Sequence, residues 1–305
     1  MFKPSFKLIT FRSLVASSLV VSSLVVSSLV VSSLVFSTLM FASAPALAAT
    51  GASDSSPSAS SAVPDAAALL RKAEQYRGLS ENFVLNGRIE TLRDGVQEKI
   101  QPYQLLAGQD RKSLVIFTDG INKGQKVLLQ DQQFWLQIPG SRRPLRITPL
   151  QKLMGEASSG DVASLSWQQD YQISSITAVR VDAVTGTKLH DAAVTAHSQA
   201  AWQLELTAAR DGLSYARIQL LVAAADAFPL SAEFYLASGK VAKQARFVRG
   251  QRLVNQQPSD AVIAMQLSDK LQSKAVTVLH YDALTEQQLP ARFFNPQALA
   301  TVQAL

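Results

Sequence analysis

Short apolar runs separated by polar turns occupy the middle of the chain. Three of them, Leu114–Phe117, Gln125–Leu129 and Phe134–Ile138, have the length expected of strands buried in a sheet. The glycine-containing loop Asp119–Gly124 separates the first two runs, and the polar turn Gln130–Gln133 separates the last two. Because the connections are so short, we predict that the three strands are consecutive and antiparallel.

Alternation of apolar and polar residues on both sides of these runs predicts further strands. Residues Phe83–Glu90 alternate with period two, Asp94-Gly95 is a hairpin turn signal, and Val96–Leu106 forms the return strand. The total is about ten or eleven strands. Toward the C-terminus the predicted strands are Trp202–Thr207, Tyr215–Val222, Ser231–Leu236, Val241–Val248, Ala261–Leu267 and Ala275–Tyr281.

Two segments follow a helical pattern instead. Asp65–Arg77 is amphipathic, and the helix-stopping residue Gly78 comes just past its end. The second segment, Leu150–Ser166, begins with a short apolar stretch. Within it, Ser158 stands three residues before Asp161, which is the spacing of a capping box at the start of a helix.

A long antiparallel sheet with so few helices cannot stay flat. Open sheets of about ten strands twist and curl, and two helical segments are too few to cover both faces. We therefore predict a mainly β (α+β) fold, in which a curved antiparallel sheet forms an incomplete barrel. The helix at Asp65–Arg77 and the Leu150–Ser166 segment would form a helical lid over the concave apolar face.

The N-terminus has the pattern of an export signal. Residues 1–48 combine a basic start, a long apolar run and the small-x-small sequence Ala46-Leu47-Ala48, so we predict a cleavable signal peptide. The apolar run is also long enough to span a membrane if it is left uncut. Residues 49–63 are rich in Ser and Ala and predict a flexible linker. Residues 64–305 are predicted to form a single domain.

Composition narrows the functional classes. The signal segment holds three of the 29 basic residues and none of the 23 acidic ones, so the remaining chain carries 26 against 23. That mild balance gives no indication of nucleic-acid binding. The chain has no Cys and three His, and it lacks the common nucleophile, P-loop and metalloprotease motifs. We predict that it is not an enzyme and has no metal and no cofactor.

Several short motifs occur in one order along the chain. Lys123-Gly124 precedes a strand, Trp135–Pro139 reads W-x-x-x-P, and Arg142–Ile147 reads R-R-x-x-R-I. Met154-Gly155 and Gly160-Asp161 follow, and then FPLSAEFYLASGKVAKQARF and LPARFFNPQAL toward the C-terminus. In this order the chain resembles the outer membrane lipoprotein-sorting proteins, relatives of the periplasmic lipoprotein carrier LolA. The resemblance runs from about Ala66 to Leu299.

The resemblance implies a function as well as a fold. It implies a periplasmic carrier that shelters acyl chains of a lipoprotein or another lipid in the concave apolar face and aids outer membrane lipoprotein sorting. Its implied partners are an inner-membrane exporter or transporter and an outer-membrane acceptor. The alternative is a periplasmic adaptor that uses the same fold to dock on an inner-membrane transporter without lipid cargo. A deep apolar trough would favour the carrier, and a nearly solid interior would favour the adaptor.

A set of apolar residues has two interpretations. They are compatible with an ordinary core, and a curved sheet with a detachable lid would make them the wall of a lipid cavity. Met and aromatic side chains suit a pocket that accepts variable chains, because Met is unbranched and adaptable. The candidate wall residues are Phe134, Leu136, Ile138, Leu153, Met154 and Trp167.

A basic cluster also has two interpretations. Arg142, Arg143 and Arg146 lie within five residues of one another, between short apolar segments. They could form an ordinary solvated loop face. They could instead sit at the mouth of the hollow and contact an anionic group, either a lipid phosphate or an acidic partner, for which the planar guanidinium is well suited.

Overall fold

The fold is a large curved sheet that is left open along one side. The structure, a computed structural model, describes residues 64–78, 81–163, 166–189, 197–269 and 275–305, all within one compact unit. The predicted signal peptide and linker lie outside the described residues. The strands are β1 Phe83–Arg93, β2 Val96–Ala107, β3 Ser113–Phe117, β4 Lys126–Gln130, β5 Gln133–Gln137, β6 Leu145–Ile147, β7 Lys152–Met154, β8 Ala157–Ser158, β9 Tyr171–Asp182, β10 Ser198–Ala208, β11 Arg217–Ala223, β12 Pro229–Tyr235, β13 Val241–Val254, β14 Gln257–Ser268 and β15 Ala275–Glu286.

The order of the strands explains why part of the chain must lie over the sheet. Thirteen strands pair in the order β6-β5-β4-β3-β2-β1-β15-β14-β13-β12-β11-β10-β9, and neighbours in this order are antiparallel. The first and last strands meet in the middle, so β6 and β9 are the two edges. The chain leaves the sheet at one edge and re-enters it at the other, and residues 148–170 make that crossing. The predicted incomplete antiparallel barrel is confirmed.

The strands β3, β4 and β5, predicted at Leu114–Phe117, Gln125–Leu129 and Phe134–Ile138, are confirmed to within a residue. The strands β3 and β4 are almost wholly buried, because both faces of this part of the sheet are covered. The C-terminal tail (residues 289–305) contains two 3-10 turns, Ala291–Phe294 and Pro296–Ala298, and packs on the convex side. Coverage on both faces is why these strands read as apolar runs rather than as alternating sequences.

The first helix begins and ends as predicted. It spans Ala66–Arg77 (α1), and the carboxylate of Asp65 accepts a hydrogen bond from the Ala67 amide at 2.9 Å as its N-cap. Gly78 closes the helix in the left-handed conformation at a φ of 70°. Leu70 and Ala73 are buried against the sheet, so α1 covers part of the concave face.

The prediction of a helical Leu150–Ser166 segment is largely wrong. This part of the crossing segment (residues 148–170) forms the small hairpin of β7 and β8, and then a short helix at Ser159–Ala163 (α2). A second short helix follows at Trp167–Asp170 (α3). Gly155 turns the hairpin at a φ of 53°, which interrupts the helical pattern. The capping interaction at Ser158 and Asp161 is present, so the helical signal was correct only for α2.

Candidate functional site

The concave side of the sheet holds the main apolar cluster of the molecule, and the lid supplies much of it. We use lid for α1 together with the crossing segment. Strand residues from both halves of the sheet form the floor, among them Phe83, Tyr103, Leu204 and Phe247. The buried lid residues in the same cluster are Leu70, Ala73, Met154, Ala157, Val162, Ala163 and Trp167.

The structure brings together most of the apolar residues that the sequence singled out. Phe134, Met154 and Trp167 are buried in the concave cluster, and Leu136 and Leu153 are half-buried against it. Ile138 is different, because 43% of it is exposed and it lies outside the cluster. Whether the five interior residues contact lipid stays a prediction.

In this state the concavity is filled rather than hollow. A cavity among the residues of the cluster has a volume of about 40 Å³ and is lined by Trp167, Tyr215, Phe234 and Met265, among others. That is close to the ~30 Å³ share of one water molecule in the liquid. Larger clefts are lined mainly by polar and charged residues: one of about 270 Å³ by Glu74, Arg111 and Asp170 among others, and one of about 540 Å³ by Lys188, Gln203 and Glu233 among others. An acyl chain would therefore have to displace the lid.

A buried ion pair anchors the crossing segment to the sheet. The Asp161 carboxylate receives the Lys243 ammonium of β13 at 2.5 Å, and both side chains are almost completely buried. The same carboxylate accepts hydrogen bonds from the Tyr215 hydroxyl at 2.6 Å and from the backbone amide and hydroxyl of Ser158 at 2.8 and 2.7 Å. Burial and the neighbouring Asp161 carboxylate raise the pKa of Tyr215 well above its usual value, so Tyr215 acts as a donor here.

A second buried carboxylate joins the two parts of the lid to each other. Glu74 of α1 accepts hydrogen bonds from the backbone amides of Trp167 and Gln168 at the start of α3, the second at 3.1 Å. It also accepts from the Ser166 hydroxyl at 3.2 Å and the Gln168 side-chain amide at 2.6 Å. A carboxylate is stabilised at a helix start by the unpaired amides there. Because of this contact, α1 and α3 should move together.

Two arginines lie at the end of α1. The Arg252 guanidinium of β13 donates to the backbone carbonyl of Arg77 at 3.0 Å, and the Arg77 guanidinium stacks on Trp167 at 4.2 Å from the ring centre. Burial lowers the pKa of both groups. Arg252 therefore satisfies carbonyl oxygens that the helix end leaves unpaired and fixes α1 to the sheet.

Two glycines mark where the crossing segment comes closest to its neighbours. A Cβ atom on Gly155 would lie 2.3 Å from the Thr277 hydroxyl and 2.6 Å from a Thr91 methyl group, in the centre of the concave face. A Cβ on Gly160 would lie 1.8 Å from the Ser214 hydroxyl. Both glycines belong to the motifs quoted above, and close approach is the physical reason for each.

The basic cluster lies at the surface. Arg142 and Arg143 are exposed in the loop between β5 and β6, and Arg146 is exposed on β6. Arg146 is paired with Trp135 across the two strands, and its guanidinium lies 5.3 Å from the indole centre. This interaction places Arg146 on the opposite face from Leu136, so the cluster does not line the interior.

Sequence reasoning missed the polar anchors of the lid. It interpreted Asp161 only as a helix-start residue, and it did not single out Lys243 or Glu74. A signal for both was present. Lys243 shares the inward phase of β13 with Ala245 and Phe247, and Glu74 stands four residues after the buried Leu70 on α1. A charged residue in an apolar phase indicates a buried partner.

Two further properties of the described residues concern ligands and membranes. No group of three or more His, Asp or Glu side chains in this part of the chain is arranged to hold a metal ion. Likewise, none of the helices in residues 64–305 that the structure describes has both the length and the apolar character needed to cross a bilayer.

Comparison with protein-family models identifies the family of this chain. The model of a family described only as an uncharacterized protein matches residues 109–301, more than half of the chain, and the chain belongs to that family. No curated protein matches the chain significantly.

Solved structures define the fold more closely. A LolA superfamily protein from Nitrosomonas europaea is 25% identical, with a TM-score of 0.62, and the match covers 76% of this chain and 98% of that one. A putative outer membrane lipoprotein-sorting protein domain from Vibrio parahaemolyticus is 16% identical at a TM-score of 0.56, covering 77% and 97%. A DUF1329 family protein from Desulfovibrio piger is 18% identical at 0.56, covering 76% and 97%. The predicted resemblance to LolA-like proteins is confirmed.

Proposed function

We propose that the protein is a periplasmic carrier that shelters acyl chains between the lid and the concave face of the sheet. In this role it aids outer membrane lipoprotein sorting, acts without a catalytic step and needs no cofactor. It would take its cargo from an inner-membrane exporter or transporter and release it to an outer-membrane acceptor. The observation that carries the proposal is the lid itself, whose seven buried apolar side chains occupy the concavity.

Cargo binding would exchange one apolar occupant of the concavity for another. Each acyl CH₂ removed from water contributes ~0.8 kcal/mol, so a long chain is strongly driven into an enclosed apolar site. An empty site would expose apolar wall and leave voids, which are unfavourable. Lid residues such as Met154 and Trp167 fill the site when no cargo is present. Cargo would lift the lid and replace those contacts, and release would need only a receiver of higher affinity.

Binding of a fluorescent fatty acid, and its displacement by lipid, tests the proposal. Leu136→Glu should abolish binding, because Leu136 faces the concave cluster. Ile138→Glu is the matched control: it makes the same change two residues away, outside the cluster, and should bind normally. Far-UV circular dichroism and thermal unfolding must show that both variants fold. Equal binding by wild type and Leu136→Glu would remove Leu136 from the site.

The filled interior favours a second candidate, the adaptor that docks on a transporter without lipid. The two candidates differ in cargo. Lipid extraction and mass analysis of the protein purified from its native periplasm should recover acyl lipid in stoichiometric amounts if it is a carrier. An adaptor would yield none. N-terminal analysis of the same material should begin at Ala49 if the signal peptide is removed as predicted.

A further inference from the structure

We propose that one end of the sheet docks on the surface of an anionic phospholipid bilayer. The surface consists of the loop between β3 and β4 and the loop between β5 and β6, continuing into β6; we call it the basic rim (residues 118–125 and 138–146). The inference rests on the proposed carrier function, for which the basic rim is the part that meets the membrane.

The first observation is apolar exposure concentrated at this end. Ile121 is 89% exposed, Leu145 55% and Ile138 43%. Single exposed aliphatic residues are ordinary, but Ile121 and Ile138 lie on neighbouring loops and Leu145 is the first residue of β6. The loops touch, because a Cβ atom on Gly124 would lie 3.4 Å from the ring of Pro139. The three exposed aliphatic residues therefore lie at the same end of the sheet.

The second observation is that buried glutamines fix both loops in place. Gln101 donates to the backbone carbonyl of Asp119 and accepts from the Asn122 amide at 3.3 Å. Gln137 donates to the carbonyl and the hydroxyl of Ser141, each at 2.8 Å. Both glutamine side chains are almost completely buried. These hydrogen bonds fix the loops that carry the exposed isoleucines. Docking would therefore cost little further ordering of the loops.

The third observation is charge. The basic rim contains one acidic residue, Asp119, against four basic ones, and the next acidic residue, Asp131, lies in the turn at the opposite end of β4 and β5. Four exposed cations belong to the basic rim, and none of them forms an ion pair with a described carboxylate within 4 Å. They are Lys123, Arg142, Arg143 and Arg146.

Cations beside protruding aliphatic side chains match the chemistry of an anionic bilayer surface. The aliphatic tips can enter the boundary between headgroups and acyl chains, while the cations stay at the level of the phosphates. A Lys or Arg near such a surface strengthens binding about fivefold. An acidic protein would match the cations but not isolated aliphatic side chains on turns, because protein interfaces are built around packed aromatic and arginine anchors.

Co-sedimentation with vesicles tests the proposal. The probes are vesicles of phosphatidylcholine alone and of phosphatidylcholine mixed with phosphatidylglycerol. The wild type should bind only the anionic vesicles, and added salt should weaken the binding. The triple variant Arg142→Gln/Arg143→Gln/Arg146→Gln should bind at least tenfold more weakly and lose most of its salt dependence. Ile121→Ser should weaken binding roughly tenfold at every salt concentration.

Two control variants make the same chemical changes elsewhere. Lys72→Gln/Lys99→Gln/Lys240→Gln removes three exposed cations outside the basic rim, and Val184→Ser removes an exposed aliphatic side chain between β9 and β10. Both should bind anionic vesicles like the wild type. Equal losses in the rim variants and their controls would overturn the proposal. So would salt-sensitive binding to an acidic protein without any binding to vesicles.

The fatty-acid assay in solution separates this inference from the carrier function. Ile138→Glu should lose vesicle binding and keep fatty-acid binding, whereas Leu136→Glu should do the reverse. If Leu136→Glu keeps fatty-acid binding, the carrier proposal fails while docking can still hold. If Ile138→Glu keeps vesicle binding, the docking proposal fails while the carrier can still hold.

Discussion

Two segments outside the main sheet cover its opposite faces, and they do so by different means. The C-terminal tail covers part of the convex face with Phe293, Phe294, Leu299 and Val302, packed on strand residues such as Leu114 and Leu128. The lid covers the concave face and, besides its apolar residues, buries the ionisable side chains of Glu74, Arg77 and Asp161.

Under the proposed carrier function, this difference makes the tail a permanent part of the fold and gives the lid a defined but releasable position. Apolar packing tolerates small shifts of the packed groups, and the stability that it contributes grows with the buried contact area. A buried ion pair adds little net stability, because desolvation offsets the Coulomb attraction, but it demands one geometry. Removing one partner leaves a buried charge unpaired. The Asp161–Lys243 pair therefore fixes where the lid sits without adding much to the free energy of closure.

The largest effect is expected on the tail. Phe294→Ala should lower the free energy of unfolding by about 4 kcal/mol, through lost burial and the void left beside Gly108, whose position the ring contacts closely. Fatty-acid affinity should not change, since the tail lies on the other face. Denaturant unfolding and the fluorescent fatty-acid assay measure the two quantities. A change in affinity with Phe294→Ala would mean that the faces are coupled.

Breaking the ionic anchor of the lid should have the opposite signature. Asp161→Asn should cost about 3 kcal/mol, because it leaves the Lys243 ammonium buried without its counter-ion. Fatty-acid affinity should rise at the same time, since cargo no longer competes with a fully seated lid.

The double variant Asp161→Asn/Lys243→Met should recover most of the lost stability, because it removes the stranded charge. The same double variant should keep the raised fatty-acid affinity. If Asp161→Asn lowers the free energy of unfolding but does not raise fatty-acid affinity, the ion pair is a structural core contact and does not hold a movable lid closed.

A smaller effect is expected at the contact between the two parts of the lid. Glu74→Gln keeps the shape but removes the charge that accepts from the start of α3, and should cost about 1.5 kcal/mol. If α1 and α3 open together, hydrogen exchange should speed up in both segments. Faster exchange in α3 alone would show that α1 stays seated when the crossing segment moves.

The fold could be predicted because its signals are local. Short turns, helix caps and apolar periods in the local sequence predict the strands β3, β4 and β5 and the helix α1. The crossing segment was mispredicted because its structure depends on a distant contact: Gly155 meets Thr91 and Thr277, whose neighbourhood exists only once the central strands have paired. A capping pattern at Ser158 and Asp161 could show where α2 begins but not that a hairpin precedes it.

The candidate site was predictable in its apolar part and not in its polar part. Phe134 and Leu136 lie on a sheet strand, Leu153, Met154 and Trp167 lie on the lid itself, and all five pack in the concave cluster. Ile138 does not, because a residue at the end of β5 leaves the alternation of the sheet and enters a loop. The pairing of Asp161 with Lys243 joins residues 82 positions apart, and no local pattern specifies such a pair.

The smallest effect is a pH dependence at the end of the lid. Asp170 of α3 is buried beside Arg111, with 2.6 Å between the charged groups. Burial raises the pKa of Asp170 above its usual 3.8, although Arg111 and Arg210 oppose the shift. A carboxyl whose pKa is raised on folding contributes stability that is fully present below its unfolded pKa and is lost as pH rises through the folded value. Relative to Asp170→Asn, the wild type should therefore lose stability as pH rises from about 4 toward neutrality.

Asp260 is a control of opposite sign, because its hydrogen bonds with Arg249 lower its pKa. Relative to Asp260→Asn, the wild type should hold its stability from neutrality down to about pH 4 and lose it only as pH falls further, through the lowered pKa of Asp260. Denaturant unfolding of the three proteins across pH measures both trends, and a wild type that gains on Asp170→Asn with rising pH would show that Arg111 outweighs burial.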